Sequence, residues 1–309
     1  MTKQTNIALA LMLTAIYGTA CISAAAGDQG EKSFILDIFG NANMDELINA
    51  KDITYVEGIL NGANKQTDLA DANQDGKIDQ ADIDWIKQII GESESEIYYI
   101  NCFGNASKVK HPLRKIIIAY VNTAEVIRVL GAEDRVVGVD SGGKNSLQSY
   151  PRYLSNFMIL PSIGTNDCDA EKILELKPDA LFLGSEGNCP DIEQKLIGAN
   201  IDVVRLKTWS EGVQSLMMVT YMLDEVDNAE KYLEWQNGYL NMVKERVSSI
   251  PINERPRVFV DRWGNTTVTR GSGYSEAIET AGGINIAANL TGSLRSDGSI
   301  TSQNTLPPG

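Results

Sequence analysis

The sequence predicts an α/β protein in which a small all-α module precedes a doubly wound parallel α/β lobe, a long inter-lobe helix and an incomplete second α/β lobe. A loop-and-helix motif occurs twice between residues 33 and 92. After residue 113, short apolar runs alternate with runs of helical periodicity, which is the pattern of a parallel sheet with crossover helices. A helical stretch over 210–249 separates this pattern from a second, shorter α/β segment.

The N-terminal segment predicts export from the cytoplasm. An uncharged run over 7–26 ends in the small residues of SAAAG, as expected for a cleaved signal peptide over 1–26. The run is also long enough for an uncleaved membrane anchor, and Cys21 offers a lipid anchor. The formal net charge of −14 argues against nucleic acid as a partner, because phosphate recognition needs a basic face. We therefore expect a secreted or cell-surface protein, with membrane contact only through such an anchor.

Histidine and cysteine are too few for most catalytic sites. His111 is the only histidine, and the sequence has no CxxC pair. A His/Cys zinc site or a Ser-His-Asp arrangement is not expected, and no phrase marks the paired carboxylates of a glycosidase, so we predict no enzymatic activity. Cys102, Cys168 and Cys189 remain beyond the export segment. Cys168–Cys189 is the best disulfide candidate, because both residues follow successive strands of the predicted sheet.

The second copy of the motif has the spacing of a calcium-binding loop. Hard oxygen donors recur where such a loop needs them, with a backbone carbonyl at position 7 and Gly76 at the sharp turn of position 6. Ile78 at position 8 is the apolar residue that pins such loops to a neighbour, and an amphipathic helix follows. Positions 1, 3, 5, 7, 9 and 12 are Asp71, Asn73, Asp75, Lys77, Asp79 and Asp82.

The first copy repeats the same spacing with weaker ligands. It has two carboxylates at the ligand positions, where the second copy has four, and Glu46 replaces the turn glycine. Ligand charge tunes calcium affinity, so we expect the second of two sites to bind more tightly and the first to bind weakly or not at all. Its ligand positions are Asn41, Asn43, Asp45, Leu47, Asn49 and Asp52.

Two calcium loops, each followed by a single helix, resemble a dockerin domain over about 33–92. The resemblance implies calcium-dependent binding to a cohesin module on a partner protein. In that family, loop positions 10 and 11 help to set partner choice. A calcium-stabilised spacer without a partner is the alternative. The polar segment 93–112 is predicted to be a linker, although IYYI within it could add a short strand. Positions 10 and 11 correspond to Ala50, Lys51, Gln80 and Ala81.

The α/β elements follow in order along the chain. Strands are predicted in RKIIIAYV, VVGVD, MILPSIG, ALFLG and DVVRL, and helices in NTAEVIRVLGAEDR, AEKILELKPD and DIEQKLIGANI. The stretch 210–249 is expected to break at Asp227–Asn228 and to leave a helix of about 23 residues, roughly 34 Å long. The only evident strands of the second lobe are VFV and TVT, and its helix lies in GYSEAIETAGGINIA.

This order resembles the substrate-binding proteins of ABC importers that carry iron chelates (iron-siderophore class), haem or cobalamin. The resemblance covers about 114–290 and rests on TAEVIRVLGAEDRVVGVD, AEKILELKPDALFLG, the long helix and AIETAGGINIA. It implies one ligand held between two lobes, beyond the carboxyl ends of the strands. Arginine suits an acidic chelate, and tryptophan suits a flat apolar ligand face. The candidate cleft residues are Asn122, Ser141, Thr165, Ser185, Trp209, Arg262, Trp263, Arg270 and Tyr274.

The same resemblance implies docking to an ABC permease. The family's first-lobe docking acid corresponds to Glu171, whereas its second-lobe counterpart has no match in this sequence. The sequence therefore predicts either a fragment or a protein without two-point delivery to a permease.

Domains are predicted over 33–92 and 113–309. The leading hypothesis is a dockerin that tethers a metal-chelate binding domain to a cohesin-bearing surface partner. The alternatives are a solute receptor of an ABC importer and, less favoured, a component of a polysaccharide-degrading assembly.

Overall fold

The computed structural model describes residues 34–91, 93, 95–119, 121–141, 157, 159–164, 167–184, 189–206, 212–261, 266–291, 293–294 and 299–301. The chain divides into two compact units. The first unit comprises 30–208 and 214–230, and the second includes 209–213 and 231–309. None of the helices in the described ranges combines the length and the apolar composition that spanning a bilayer requires.

Two helices of equal length follow the two predicted calcium loops. They are α1 (Ala50–Leu60) and α2 (Gln80–Ile90). In each, the residues at loop positions 9 and 12 form a capping box, so these residues start the helix as well as close the loop. Apolar side chains at helical spacing, among them Val56 in α1 and Ile83 and Ile86 in α2, are buried.

The segment predicted to be a linker is folded, which corrects that prediction. Residues 95–111 form an antiparallel hairpin of β1 (Ser95–Ile100) and β2 (Ala106–His111). Alternate residues are buried, including Tyr99 at 0% exposure and His111 at 3%. The polar composition of the segment conceals this alternation, because only one face of the hairpin is apolar.

A four-stranded parallel sheet forms the first lobe, by which we mean the part of the first unit from 113 onward. Its spatial order is β4-β3-β5-β6, which differs from the chain order, so the chain crosses to both sides of β3. This confirms the doubly wound parallel arrangement. The predicted strand MILPSIG is reduced to one bridge between Ser162 and Val139. The strands are β3 (Ile116–Ile118), β4 (Val136–Val139), β5 (Ala180–Leu183) and β6 (Asp202–Arg205).

The first lobe has helices beside its sheet and a buried cluster that includes Ile117, Ile173 and Leu181. Within this cluster Cys168 and Cys189 form a disulfide with a Cα–Cα distance of 5.1 Å, which confirms the predicted pairing. The helices are α3 (Val121–Val129), α4 (Ala170–Leu176), α5 (Ile192–Lys195) and α6 (Gly212–Leu223).

The long predicted helix is α7 (Val226–Ser248), with 23 residues. The break between α6 and α7 lies at Asp224, three residues before the predicted Asp227–Asn228. Asp224 has a φ of 60°, in the left-handed region that ends a helix and that aspartate tolerates better than most residues. Asp227 instead lies in the first turn of α7.

The second unit has more strands than the sequence indicates. A parallel pair joins β7 (Arg257–Val258) and β9 (Ile284–Asn285), and α8 (Gly273–Thr280) precedes β9. A second sheet has the antiparallel order β10-β11-β8. The C-terminal strands escape prediction because their residues are polar and lack apolar alternation. The members of this sheet are β8 (Thr266–Val268), β10 (Ser293–Leu294) and β11 (Ser299–Thr301).

Candidate functional site

The second predicted calcium loop is organised by its own backbone N–H groups, which donate to its carboxylates. Asp71 accepts from the N–H of Asp75 (3.2 Å) and from that of Gly76 (2.9 Å). Asp82, at position 12, accepts from backbone N–H groups at both ends of the loop. Gly76 has a φ of +88°, which a residue without Cβ adopts at little cost. The loop therefore has the glycine turn that the spacing predicts, and its carboxylates are held by backbone N–H groups.

The first predicted calcium loop is closed by side-chain amide N–H groups. Asn41 Nδ2 donates to the backbone oxygens of Leu36 (2.9 Å) and Asp45 (2.7 Å). Asn43 Nδ2 donates to Asp45 Oδ2 at 2.8 Å. Asn41 is fully buried, whereas its counterpart in the second loop is partly exposed. The side-chain oxygens of Asn41 and Asn43 accept from the N–H of Asp45, just as those at the same positions of the second loop accept from Asp75. The two loops therefore share this pattern and differ in the charge at position 1.

The two loops also differ in backbone conformation at the turn of position 6. Gly76 occupies the left-handed region, and Glu46 does not. A residue with a Cβ is disfavoured there by about 1–2 kcal/mol, so the first loop takes another backbone path at this position. The expectation that Glu46 disturbs the turn agrees with this difference.

The carboxyl groups at position 12 are both withdrawn from water. Burial raises the pKa of Asp52 to about 6, against hydrogen bonds from backbone N–H groups that lower it. Burial likewise raises the pKa of Asp82. A buried carboxylate is stabilised in its charged form by a nearby cation, so a bound ion would favour the ionised state of each.

The donor set of the second loop fits calcium, which prefers six to eight hard oxygen ligands. Within the described ranges, no three His, Cys, Asp or Glu side chains converge on one point at metal-binding distance. The fit therefore rests on the donor atoms and the glycine turn. The first loop fits less well, because two of its ligand positions carry carboxylates against four in the second loop. The residues that would hold the ion are Asp71, Asn73, Asp75, Asp79 and Asp82, with the carbonyl of Lys77.

The predicted partner contacts lie where each helix begins. Ala50 and Lys51 open α1, Gln80 and Ala81 open α2, and all four are exposed. They are accessible to a partner, and their role in partner choice stays a prediction.

The first loop lies against α6 within the first unit. The Tyr221 hydroxyl accepts from the N–H of Ile48 at 2.8 Å and donates to the carbonyl of Ile48 at 3.2 Å. Gln214 Nε2 donates to Ile35 O and to Asp37 Oδ2, both at 2.8 Å. Sequence reasoning missed Tyr221 and Gln214, because α6 is largely apolar and carries no motif that points to a residue 173 positions away.

The β1–β2 hairpin connects the loop-and-helix module to the first lobe. Trp85 of α2 donates from Nε1 to the carbonyl of Glu96 in β1 at 3.1 Å. At the other end, Cys102 N donates to the carbonyl of Arg205 in β6 at 3.0 Å. The module and the lobe are thus joined by hydrogen-bonded structure as well as by the chain.

Two of the predicted cleft residues lie at the carboxyl edge of the parallel sheet. Asn122 is in the first turn of α3, after β3, and Ser141 follows β4. Because β3 and β4 are parallel neighbours, both residues lie on one edge. Ser141 Oγ lies 2.5 Å from Ser162 Oγ, and Ser141 N donates to Gly164 O at 2.5 Å. Sequence reasoning missed Ser162, which follows the apolar run of MILPSIG.

Two further predicted cleft residues belong to the second unit. Arg270 is exposed, and its backbone N–H donates to Ala288 O at 3.0 Å. Tyr274 lies in the first turn of α8 and is partly buried. The remaining candidates lie outside the described residues: Thr165, Ser185, Trp209, Arg262 and Trp263.

Glu171, the predicted permease-docking acid, is exposed in the first turn of α4. Asp169 caps this helix by accepting from Lys172 N at 3.1 Å. The carboxylate of Glu171 is therefore accessible from a surface that a partner can reach.

Comparison with known protein families finds two matches. Residues 116–302 match the periplasmic binding protein family, and residues 40–91 match the dockerin type I domain. Both are non-catalytic binding modules, and both occur outside the cytoplasm. Among curated protein sequences, none is significantly similar to this chain.

Solved structures show the fold of the larger domain. A periplasmic solute binding protein from Veillonella parvula is 18% identical with a TM-score of 0.50, over 68% of this chain and 64% of that one. The molybdate periplasmic binding protein MolA of Haemophilus influenzae, bound to molybdate, is 16% identical with a TM-score of 0.52, over 63% of this chain and 67% of that one. The periplasmic haem-binding protein HutB of Vibrio cholerae is 22% identical with a TM-score of 0.44, over 57% and 66%. The chain thus spans less than two thirds of the Veillonella protein's own length.

Proposed function

Because the chain belongs to the periplasmic binding protein family and carries a dockerin type I domain, we propose that it is a solute-binding protein addressed to a cohesin-bearing surface partner. The ligand we propose is a metal chelate of the iron-siderophore, haem or cobalamin class. The observation that carries the proposal is the presence of both modules in one chain. The hydrogen-bonded packing of the dockerin module with the first lobe, inside one compact unit, supports it.

Binding to the cohesin would depend on calcium in the second loop. Calcium would supply the positive charge that draws the loop's carboxylates together, and the chain's residues supply oxygen ligands and the turn at Gly76. Asp82 joins the two ends of the loop and caps α2, so it couples the loop to the helix. Gln80 and Ala81, next to the loop, are exposed for contact with the cohesin.

The ligand would be bound by polar groups at the carboxyl edge of the parallel sheet in the first lobe. Asn122 and Ser141 offer hydrogen-bonding groups at this edge, where parallel sheets bind ligands.

One experiment tests cohesin binding and ligand binding together. The intact chain is captured on immobilised cohesins in calcium, supplied with haem, a ferric siderophore or cobalamin, and eluted with chelator for native mass spectrometry. We expect capture by at least one cohesin, release by the chelator, and one bound ligand per eluted chain. If no cohesin captures the chain, the proposed cohesin binding is contradicted. If the chain elutes without any of the ligands, the proposed binding of a metal chelate is contradicted.

A second candidate function is that of a solute receptor for an ABC importer. The exposure of Glu171 at the start of α4 favours it, because a permease could pair an arginine with this carboxylate. A reconstituted importer whose ATPase is stimulated equally by the wild type and by Glu171→Gln would contradict this candidate. A polysaccharide-degrading assembly remains a third setting in which a cohesin could recruit the chain.

A further inference from the structure

The first loop has neutral amides at positions 1 and 3. The oxygens of both amides stay on the loop, because Asn41 Oδ1 and Asn43 Oδ1 accept from the N–H of Asp45 at 3.1 and 2.9 Å. Their nitrogens bond elsewhere: Asn41 Nδ2 donates to two backbone oxygens, and Asn43 Nδ2 donates to Asp45. The second loop has a carboxylate at position 1, and both of its oxygens accept backbone N–H groups. Position 1 of the first loop therefore offers a divalent cation a neutral oxygen in place of a charged one.

The burial of Asn41 and the low charge of the first loop both disfavour calcium there. Asn41 is fully buried and its Nδ2 donates to two backbone oxygens, so the first loop is closed by internal hydrogen bonds that need no ion. The first loop would meet a divalent ion with two carboxylates, Asp45 and Asp52, against four in the second loop. The donor set of the first loop therefore does not fit calcium.

The same loop makes contacts that the second loop does not share. Tyr221 is 4% exposed, and its hydroxyl bonds both backbone groups of Ile48, at position 8 of the first loop. Gln214, two turns earlier on α6, holds the chain just before the loop through Ile35 and Asp37. Position 8 is buried in the first loop and only partly buried in the second, at Ile78.

We propose that the first repeat is a calcium-free joint: its loop is closed by Asn41 and Asn43 and is fixed to α6 by Tyr221, so that one calcium ion binds per chain, in the second loop. The calcium in the second loop rests on the proposed function, whereas the joint does not. The dockerin module is then seated on the first lobe with or without calcium, and calcium orders only the repeat that carries Gln80 and Ala81.

The test is a calorimetric titration of calcium into the intact chain after chelator treatment. Asp45→Asn and Asp75→Asn are matched variants, because each removes one charge at position 5 of its own loop. We expect one equivalent for the wild type, an unchanged equivalent for Asp45→Asn, and affinity weaker by about tenfold or more for Asp75→Asn. Two equivalents, or loss of the equivalent in Asp45→Asn, would overturn the proposal. A chain that binds no calcium at all would contradict both this proposal and the proposed calcium-dependent binding to a cohesin. Two equivalents would contradict this proposal alone, so the two failures are distinguishable.

Hydrogen exchange of the same intact chain tests the joint. We expect a peptide over 35–48 to stay protected in chelator while a peptide over 71–82 loses protection. Tyr221→Phe, which keeps the ring, should speed exchange at 35–48 with and without calcium and leave the calcium stoichiometry at one. If chelator deprotects both peptides equally, or Tyr221→Phe leaves 35–48 unchanged, the first repeat is not such a joint.

Discussion

At the scale of single residues, the two repeats differ through atoms rather than through spacing. Asparagine and aspartate have the same size, but the asparagine side chain replaces one acceptor oxygen by a donor nitrogen. At position 1 this exchange replaces a carboxylate by the neutral amide of Asn41, whose nitrogen donates to two backbone oxygens. The replacement of aspartate by asparagine therefore explains how a duplicated motif can give one metal-binding loop and one structural loop.

The Tyr221 hydroxyl offers a direct measure of the joint. Tyr221→Phe removes an acceptor and a donor from the buried backbone of Ile48, so we expect the free energy of unfolding to fall by about 1–3 kcal/mol. Urea unfolding followed by circular dichroism measures it. Tyr239→Phe is the control, because Tyr239 lies on α7 and is 37% exposed. Equal stabilities of the two variants would contradict the role given to Tyr221.

An ion pair in the first lobe predicts a pH dependence. Partial burial raises the pKa of Glu193, but hydrogen bonds and the charge of Arg205 outweigh burial and hold this pKa below its usual value. The pair therefore stabilises the fold above the unfolded-state pKa of about 4.3, and the contribution is lost as pH falls through the lower folded-state pKa.

Glu193→Gln should thus lower the free energy of unfolding by about 1 kcal/mol at neutral pH, a modest figure because Glu193 is 49% exposed. The difference from the wild type should shrink as the pH falls below the unfolded-state pKa of about 4.3, as measured by urea unfolding across pH. Glu175→Gln, in the exposed pair with Lys172, should change stability by less than about 0.5 kcal/mol. A Glu193→Gln deficit that grows as the pH falls would contradict the sign of the shift.

At the scale of elements, the hairpin decides how the module meets the lobe. Lys108 and Lys110 lie in β2, so trypsin should leave them uncut in the native protein, because a paired strand does not enter a protease cleft. Limited digestion with intact-mass analysis tests this, with the chain in urea as the control that is cut. Early native cleavage at either lysine would indicate the linker that the sequence predicts.

Local patterns predicted most elements of the first lobe. The strands at Ile116 and Ala180 are apolar and short, and α4 follows from its spacing, so periodicity located them. The Cys168–Cys189 disulfide followed from the order of strands. The sequence allowed a short strand at IYYI but not its pairing in a hairpin, because Tyr99 is buried by partners that a local pattern does not contain.

The same limit applies to the candidate site. The twelve-residue spacing located the loops, because calcium ligands are close in sequence. The contact of Ile48 with Tyr221 spans 173 positions, and no short motif encodes it. Which amide hydrogens face Asp45 depends on packing around Asn41, which is also beyond the reach of spacing.

At the scale of the whole molecule, the two modules are joined at several places in the first unit. The hairpin, the Tyr221 contact and the Gln214 contact all connect residues of the dockerin to the first lobe. A cohesin that bound the second repeat would therefore hold the solute-binding lobe in a defined orientation rather than on a flexible tether. This arrangement suits a receptor that is kept at a surface while it binds its ligand.

The most direct test of this account is the retention of the intact chain on immobilised cohesins as a function of free calcium. The wild type and Asp45→Asn should be retained with the same calcium midpoint, and Asp75→Asn should need about tenfold more calcium or fail to bind. Two results would contradict the claim that calcium in the second loop is needed for cohesin binding. One is retention of the wild type that is unchanged in chelator, and the other is loss of binding in Asp45→Asn alone.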